Sequence, residues 1–316
     1  MAKFLVTRIL SMTVTAIAVS VVVMLLVHAV PGNIVQQMLG QLGAGSLEAR
    51  ASLESYFGLN RSLPVQYWDW VSTLLSGSLG TSWNRGIPVE QLVFTAFQVT
   101  LQLGLLSLAF ATVVGVILGI ISSLTKGRWP DTLIQSFNIL GLSLPSFWVG
   151  AMFLVIASQY FDWGPPIRYR SFAQDPTVNL QIMLLPVLSL GLFNAAAISQ
   201  FLRELIIGTE RQEYVRTAYS KGLSGPHIYV KHIFRNVLIP LVSFIGVISI
   251  GVLGGVVAIE SVFNLPGVGR LIISALQTRD YPLVQGGVLV LAGVTMLVNL
   301  IVDVLYVVID PRITYS

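Results

Sequence analysis

Six long runs of apolar residues constrain this chain of 316 residues more than any other feature. A helix needs about 20 apolar residues to cross the hydrocarbon core of a bilayer. The runs that reach this length are Ile9–Val30, Val99–Leu124, Leu133–Phe161, Ile182–Phe201, Val237–Ile259 and Val284–Ile309. They predict an all-α, polytopic membrane protein with six transmembrane helices. No small-residue cleavage site follows the first run before Pro31, so we interpret it as a retained span rather than a signal peptide.

The amino-acid composition supports a lipid-facing surface. Charged residues make up 10% of the chain, whereas a soluble domain carries about 25%. The alternative, a large soluble protein with an oversized core, does not explain why the apolar residues come in uninterrupted runs. The absence of cysteine excludes disulfides, iron–sulfur clusters, thiolate zinc sites and cysteine nucleophiles.

Lysine and arginine predict the orientation. Six spans place both termini on one side, and that side receives eleven of the 18 basic residues, most of them in short loops close to span ends. The positive-inside rule has most force in such loops. Both termini and the basic segment 204–236 are therefore predicted to be cytoplasmic.

Two apolar segments are predicted to lie outside the cell. The first transmembrane helix covers residues 1–30, and residues 99–312 would form the transmembrane core. Between them, residues 31–98 are expected to form a helical cap, which is either a simple interfacial layer or a platform for an external partner. Within the cap, Ser46–Asn60 can form an amphipathic helix. The second outer segment is Asn264–Pro282, which lies between the last two spans and can form a short amphipathic helix after a turn. The residues expected on their apolar faces are Leu47, Leu53, Tyr56 and Phe57 in the first, and Leu271, Ile272, Ala275 and Leu276 in the second.

The segment 204–236 combines helix signals with positive charge. A helix is expected to continue from the fourth span to about Ala218 and to end at Gly222, a residue typical of helix C-termini. Ser224 can cap a second helix, and Pro226 fits its first turn. The sequence thus predicts two helices joined by a sharp bend.

The second of these helices is expected to present two stripes at a spacing of four residues. One is apolar (Tyr229, Ile233, Val237) and the other is basic (His227, Lys231, Arg235). Lys231 and Arg235 repel each other slightly at this spacing, so an acidic surface is expected opposite them. That surface is either anionic lipid, which binds each basic residue by about 1 kcal/mol, or a soluble partner, which the bent two-helix design favours.

The block AYSKGLSGPHIYVKHIFRNVLIP, which starts at Ala218, resembles the cytoplasmic coupling segment, or EAA loop, of ABC-importer permeases. The resemblance is closest to the B-type subunit of the dipeptide/oligopeptide/nickel permease family. It extends in order over most of the chain, through the blocks Leu25–Asn33, Gly58–Trp70, Gly77–Trp83, Leu140–Gly150, Glu260–Gly286 and Asn299–Ile313. One departure is that Arg216 stands where the EAA pattern has Glu, although Glu213 lies one turn earlier; another is that Arg235 stands where a Pro usually closes the loop.

The resemblance implies a type I importer permease in a bacterial or archaeal cytoplasmic membrane. Its expected partners are a second, homologous permease in a heterodimer, two cytoplasmic ATPase subunits, an external solute-binding protein and the lipid bilayer, but no nucleic acid. The chain lacks the phosphate-binding loop of an ATPase, so we expect no catalytic residues and no bound cofactor, with ATP and Mg²⁺ used by the partners. The implied solute is a di- or oligopeptide; glutathione, a nickel chelate and a sugar are alternatives.

The same resemblance implies which residues couple the chain to the ATPases. His227, Tyr229, Lys231 and Arg235 would dock, whereas Ala218 and Gly222 would allow close backbone approach. The full set of expected coupling residues is Glu213, Arg216, Ala218, Lys221, Gly222, Leu223, Ser224, Gly225, His227, Tyr229, Lys231 and Arg235.

Polar residues within the predicted spans are candidates for the translocation pathway, although such groups also bond neighbouring helices. They are Asn138, Ser143, Ser146, Asn194, Ser243 and Ser249. Asp303 is a carboxylate inside a span and therefore a functional candidate, but it lies close to the cytoplasmic end, where a packing or interfacial role is equally open. A rival function, proton-coupled secondary transport, gains little from it, because a lone acid makes a weak proton relay. A membrane scaffold that docks a soluble partner is a second rival. No His, Asp and Glu residues have metal-ligand spacing, so no metal site is predicted.

Overall fold

The structure, a computed structural model, describes residues 2–42 and 47–309. The last residues of the predicted core, including Arg312, lie outside this part. Within it the regular elements are helical, which confirms the all-α class. In chain order they are α1 (Ala2–Ala29), α2 (Ile34–Leu42), α3 (Leu47–Tyr56), α4 (Leu63–Leu75), α5 (Val89–Leu124), α6 (Trp129–Ser143), α7 (Ser146–Phe161), α8 (Pro176–Glu210), α9 (Glu213–Ser220), α10 (Gly225–Ile228), a π segment (Tyr229–Phe234), α11 (Arg235–Val262), α12 (Val268–Gln277) and α13 (Tyr281–Ile309).

Five of the described helices are long and apolar enough to cross a membrane, and a bent pair brings the total to six. The five are α1, α5, α8, α11 and α13, each of which contains one of the predicted runs. Helices α5 and α8 extend beyond their apolar runs to 36 and 35 residues. The predicted membrane architecture is therefore confirmed.

The length of the third apolar run suggested one straight span, but the structure shows two helices there. Helices α6 and α7 meet at an angle of 106°, and the break falls at Leu144 and Pro145. Proline has no N–H to donate to the preceding turn and forces the residue before it into an extended conformation. Leu144 is extended, with φ −99° and ψ 131°. The bend therefore follows from Pro145, whereas Pro186 lies inside a continuous α8.

The chain packs as two compact units, which are described separately. Unit 1 consists of residues 1–100 and 266–297. Its core joins α1, the beginning of α5, α12 and the beginning of α13 through buried residues such as Val27, Val93, Ala275 and Leu283. The segment 31–98 contributes three helices. Only part of the predicted face of α3 is covered: Leu53 and Phe57 are partly buried, but Leu47 and Tyr56 are exposed.

Asp280 organises the polar interior of unit 1. This buried carboxylate accepts hydrogen bonds from the Ser82 hydroxyl (2.5 Å) and from the backbone N–H groups of Trp83 (3.1 Å) and Asn84 (3.3 Å). The same side chain lies at the start of α13. A charged acceptor that satisfies several donors stabilises the loop around Ser82 more than isolated neutral bonds would.

Unit 2 consists of residues 101–265 and 298–316, of which 298–309 are described. Its core lies around α8, whose long buried face packs against α6, α7 and α11. Small residues permit these close approaches. A Cβ atom on Gly115 of α5 would lie 2.7 Å from the Ile198 Cβ of α8, and one on Gly255 of α11 would lie 2.7 Å from Leu190 Cδ1. Such spacing indicates close backbone-to-side-chain packing between these helices.

Candidate coupling site

The predicted bend in the segment 204–236 is present, and we call residues 211–235 the elbow. The expected continuous helix to Ala218 is wrong: α8 ends at Glu210, Gln212 is extended, and a separate helix α9 starts at Glu213. The chain then turns through Gly222 into α10. Gly222 has φ +76°, a left-handed conformation that glycine adopts at no steric cost. The N–H of Gly222 bonds the Tyr219 carbonyl (2.9 Å), and the N–H of Leu223 bonds the Ala218 carbonyl (3.4 Å). These two bonds form a Schellman motif, which closes α9 as the sequence predicted.

Ser224 occupies the N-cap position of α10, with Pro226 in the first turn. Its side chain makes no capping hydrogen bond, however, so the expected side-chain cap is wrong. The Ser224 carbonyl instead accepts the N–H of Ile228 at 3.1 Å. The start of α10 is therefore fixed by backbone geometry and Pro226.

A π segment changes the register that the sequence suggested for the second helix. Residues five apart, rather than four, share a face across Tyr229–Phe234. As a result Ile228 and Ile233 are both fully buried, whereas Tyr229, expected on the apolar stripe, is only partly buried. The rings of His227 and His232, also five apart, lie 6.2 Å from each other. The five-residue spacing of the π segment places Ile228 and Ile233 on the same buried face before α11 begins.

The inner side of the elbow belongs to the core of unit 2. Val215, Ala218, Ile228 and Ile233 join Leu202 and other residues of α5, α8 and α11 in one buried cluster. We expected Ala218 to allow close approach by another protein. It does not offer such a surface, because its side chain packs inside this unit. The elbow is fastened to two long helices by apolar contacts on both sides of its bend.

Polar contacts support the same attachment. The Tyr229 hydroxyl donates a hydrogen bond to the Glu210 carboxylate at the end of α8. The side-chain amide of Asn236 in α11 donates to the Tyr214 hydroxyl of α9 at 3.0 Å. Each bond links a helix of the elbow to a helix of the membrane domain or to its continuation. Glu213 and Arg216 form only an exposed local pair at 3.2 Å, which contributes little to stability.

The outer side of the elbow is exposed and mostly basic. Apolar side chains stand among the cations: Val230 is 73% exposed, and Leu223 and Tyr219 are also exposed. A surface that mixes positive charge, aromatic rings and isolated aliphatic residues is typical of protein interfaces. Of the expected coupling residues, the exposed ones are Glu213, Arg216, Lys221, Gly222, Leu223, Ser224, His227, Lys231 and Arg235, while Gly225 and Tyr229 are partly buried.

A buried ion pair behind the elbow was not predicted. The Asp131 carboxylate of α6 accepts two hydrogen bonds from the Arg203 guanidinium of α8, both 2.8 Å. The Ser122 hydroxyl (2.6 Å) and the Gly127 N–H (2.9 Å) complete its shell. In the sequence, Arg203 counts only as one of the basic residues on the cytoplasmic side, because two residues 72 apart give no sign that they pair. The pair ties α8 to the start of α6, and the bonds from Ser122 and Gly127 add the end of α5 and the loop between α5 and α6.

Most of the polar residues proposed for the pathway make hydrogen bonds to other protein groups. Asn138 is buried and donates to the Ser199 hydroxyl at 3.2 Å, and Asn194 is buried and donates to the carbonyl of Leu190 in its own helix. Ser143 and Ser249 bond carbonyls in their own helices. Ser146 and Ser243 are partly buried. Bonding between helices or within one helix thus accounts for most of these groups.

Two carboxylates near helix ends are more buried than Asp303. Glu260 near the end of α11 is fully buried, and Asp131 lies in the first turn of α6. Asp303 itself is only partly buried. The predicted run ended one residue before Glu260, which explains why that residue was missed. In the described residues, no three His, Asp or Glu side chains are grouped so as to hold a metal ion.

Comparison with known proteins gives a consistent result over the whole chain. Residues 115–315 match the family described as binding-protein-dependent transport system inner membrane component, and residues 1–104 match the N-terminal region of such membrane components. The glutathione transport system permease protein GsiC of Salmonella typhimurium is 34% identical over 100% of both chains. The dipeptide transport system permease protein DppB of Alkalihalophilus pseudofirmus is 32% identical over 98% of both.

Two solved transporter structures share the fold. One, of an amino acid ABC transporter, has a TM-score of 0.54 at 14% identity and covers 71% of this chain and 95% of its own. The other, of the MetNI methionine ABC transporter, has a TM-score of 0.52 at 13% identity and covers 70% and 97%. At these identities the similarity concerns the architecture of the helices.

Proposed function

The chain belongs to the family of binding-protein-dependent transport system inner membrane components, and from this premise we propose that its elbow is the point at which ATPase subunits drive it. It is a multi-pass permease subunit of an ABC importer in the bacterial cytoplasmic membrane. Membership of this family implies ATPase and solute-binding protein partners. The rival functions, secondary transport and scaffolding, have no comparable support.

One observation carries the proposed coupling role. The elbow has an exposed basic outer side and an inner side that is buried in the same core as α5, α8 and α11. A force on the outer side is therefore transmitted to the ends of α8 and α11, because the inner side chains of the elbow pack in the same buried cluster as these helices. The Schellman turn at Gly222 and the Tyr229–Glu210 bond keep its shape.

The mechanism we propose follows from this attachment. Two ATPases bind ATP with Mg²⁺ and close on each other, and each holds one elbow in a surface groove. Closure moves α8 and α11 as rigid levers, and the cavity between two permeases changes from inward to outward access; hydrolysis reverses the change. We further propose that the second permease is a homologous, non-identical subunit and that residues 99–312 form the core. The polar residues proposed to line the pathway are Asn138, Ser143, Ser146, Asn194, Ser243 and Ser249.

Charge reversal tests the docking role. In the variant Lys231→Glu/Arg235→Glu we expect the ATPase to be lost during purification, because two exposed cations become repulsive anions, while membrane insertion is unchanged. The matched control is Lys126→Glu/Arg128→Glu, which makes the same change of charge at exposed positions of the loop after α5. Retention of a fully coupled ATPase by the elbow variant, or equal losses in both variants, would show that these residues do not dock it.

For the solute, we propose a di- or oligopeptide. The support is that a relative matching 98% of the chain is named for dipeptide, whereas the relatives named for glutathione support that alternative. The test is uptake of labelled dialanine by cells that lack other peptide importers and express the complete system. Competition by longer peptides, but not by glutathione, a nickel chelate or a sugar, is the expected result; the reverse order of competition would assign the alternative.

A further inference from the structure

Unit 1 contains a cavity of about 500 Å³ that no function has yet been assigned to. It lies between the end of α1, the helices α3 and α4, the loop around Ser82, and the start of α13. All of its lining residues belong to unit 1. Ligand sites of proteins commonly have volumes of roughly 300 to 1,000 Å³, so the space suits a molecule of the size of a short peptide. On the predicted orientation, the end of α1 that borders the cavity lies toward the outer face.

Aromatic rings form much of the cavity wall, and they touch one another in a continuous series. The ring centroids of Phe57 and Trp83 are 5.0 Å apart, those of Trp83 and Tyr281 are 5.2 Å apart, and those of Tyr281 and His28 are 4.9 Å apart. Such contacts hold the rings at fixed angles. A fixed aromatic wall binds apolar or aromatic side chains through its faces, and it binds ammonium groups through cation–π attraction.

The polar atoms of the cavity wall indicate which polar groups a ligand would carry beside its apolar or aromatic side chain. Trp70 is nine-tenths buried, and its indole N–H has no hydrogen-bond partner among the described residues. A buried donor without an acceptor is costly, so a ligand acceptor would be favoured once a neighbouring side chain moves aside, because this nitrogen has almost no accessible surface. Asp69 also lines the cavity and is bound by Arg61 at 2.6 Å. Its carboxylate disfavours a second anion and favours an ammonium group, so the acceptor should be neutral.

His28 and Gln66 hold part of this wall in place. The His28 Nδ1 lies 2.8 Å from the Met24 carbonyl, and its Nε2 lies 3.1 Å from Gln66 Oε1. The Gln66 amide nitrogen donates to the Arg61 carbonyl at 2.8 Å. These bonds connect α1 to α4 along the edge of the cavity and hold this part of the wall in place without a ligand.

We propose that this aromatic cavity binds the amino-terminal part of the transported peptide: an aromatic or large apolar side chain against the rings, the ammonium group near Asp69, and an amide carbonyl on the Trp70 N–H. The proposal rests on the proposed peptide substrate and adds a side-chain preference to it. The permease would thus select for the solute after the binding protein has released it.

The experiment measures binding of labelled Phe-Ala and Ala-Ala to the assembled, purified transporter without its binding protein. Wild type should bind Phe-Ala at least about tenfold more tightly than Ala-Ala. Trp70→Phe keeps a ring but removes the donor, and a neutral hydrogen bond corresponds to about a three- to tenfold loss of affinity for Phe-Ala. Trp68→Phe is the matched control, since Trp68 lies on the same helix, is 65% exposed and does not line the cavity.

Three results would overturn the proposal. Equal binding of the two dipeptides by wild type would do so without any variant, and so would equal affinities of the Trp70 and Trp68 variants. A Trp70 variant that binds Phe-Ala normally but is no longer stimulated by the binding protein would assign the cavity to docking of that protein. Uptake of Phe-Ala by the complete wild-type importer is measured separately. Failure of uptake rejects the peptide substrate, whereas normal uptake with no difference between the variants rejects only the cavity.

Discussion

Asparagine at position 131 should destabilise unit 2 strongly. The Asp131 carboxylate accepts two bonds from Arg203, one from Ser122 and one from Gly127, all between 2.6 and 2.9 Å. Asp131→Asn keeps the size of the side chain but presents an N–H₂ group to a guanidinium that can only donate. It also leaves the Arg203 side chain, which is 20% exposed, without its counter-charge.

The magnitude follows from burial. Breaking a buried ion pair from one side costs about 3 to 5 kcal/mol, whereas an exposed pair contributes about 0 to 1 kcal/mol. Because Arg203 retains some access to water, we expect about 3 kcal/mol. At roughly 2 °C or more per kcal/mol for a domain of this size, the midpoint of thermal unfolding should fall by about 6 °C or more.

The assay is thermal unfolding of the purified permease in detergent, followed by tryptophan fluorescence. Trp129 is two residues from the substitution and reports on this region. Asp69→Asn is the matched control, because Asp69 forms a 2.6 Å pair with Arg61 in which both side chains are about half exposed; its midpoint should change by less than about 2 °C. Replacing both partners by apolar residues, Asp131→Leu with Arg203→Met, should recover part of the loss. Equal shifts for the two asparagine variants would refute this account.

Three further perturbations test other parts of the structure. Gly222→Ala places a side chain at φ +76°, which costs about 1 to 2 kcal/mol, and the number of peptides imported per ATP should fall; an unchanged ratio would mean that the shape of the elbow is not needed for coupling. Asp280→Asn removes a buried charged acceptor from the Ser82 loop, so segment 31–98 should be cut faster in limited proteolysis, and an unaltered cleavage rate would argue against its organising role. Gly115→Val should reduce the yield of folded protein, because even a Cβ atom would lie 2.7 Å from Ile198. In the control Gly208→Ala the added Cβ meets no atom within 4 Å, so the yield should be equal or higher. Similar losses in both variants would contradict the close approach.

The predictions that succeeded rest on local properties of the chain. Apolar runs of sufficient length identified the spans, because the cost of burying backbone in lipid leaves a helix as the only solution for a single segment. Gly222 and Pro226 marked the bend and the second helix, since each restricts its own backbone. The resemblance over the elbow and the flanking blocks was confirmed by relatives that match the full length.

The sequence by itself thus determined which segments cross the membrane, where the elbow bends and which family the chain belongs to. Tertiary structure alone decided that Ala218 faces inward, that a π segment brings Ile228 and Ile233 onto one buried face, and that Asp131 pairs with Arg203. The aromatic cavity likewise combines residues from both ends of the chain. The reason is physical: a residue's own backbone preference is fixed by its side chain, but its burial and its partners depend on which distant helices pack against it.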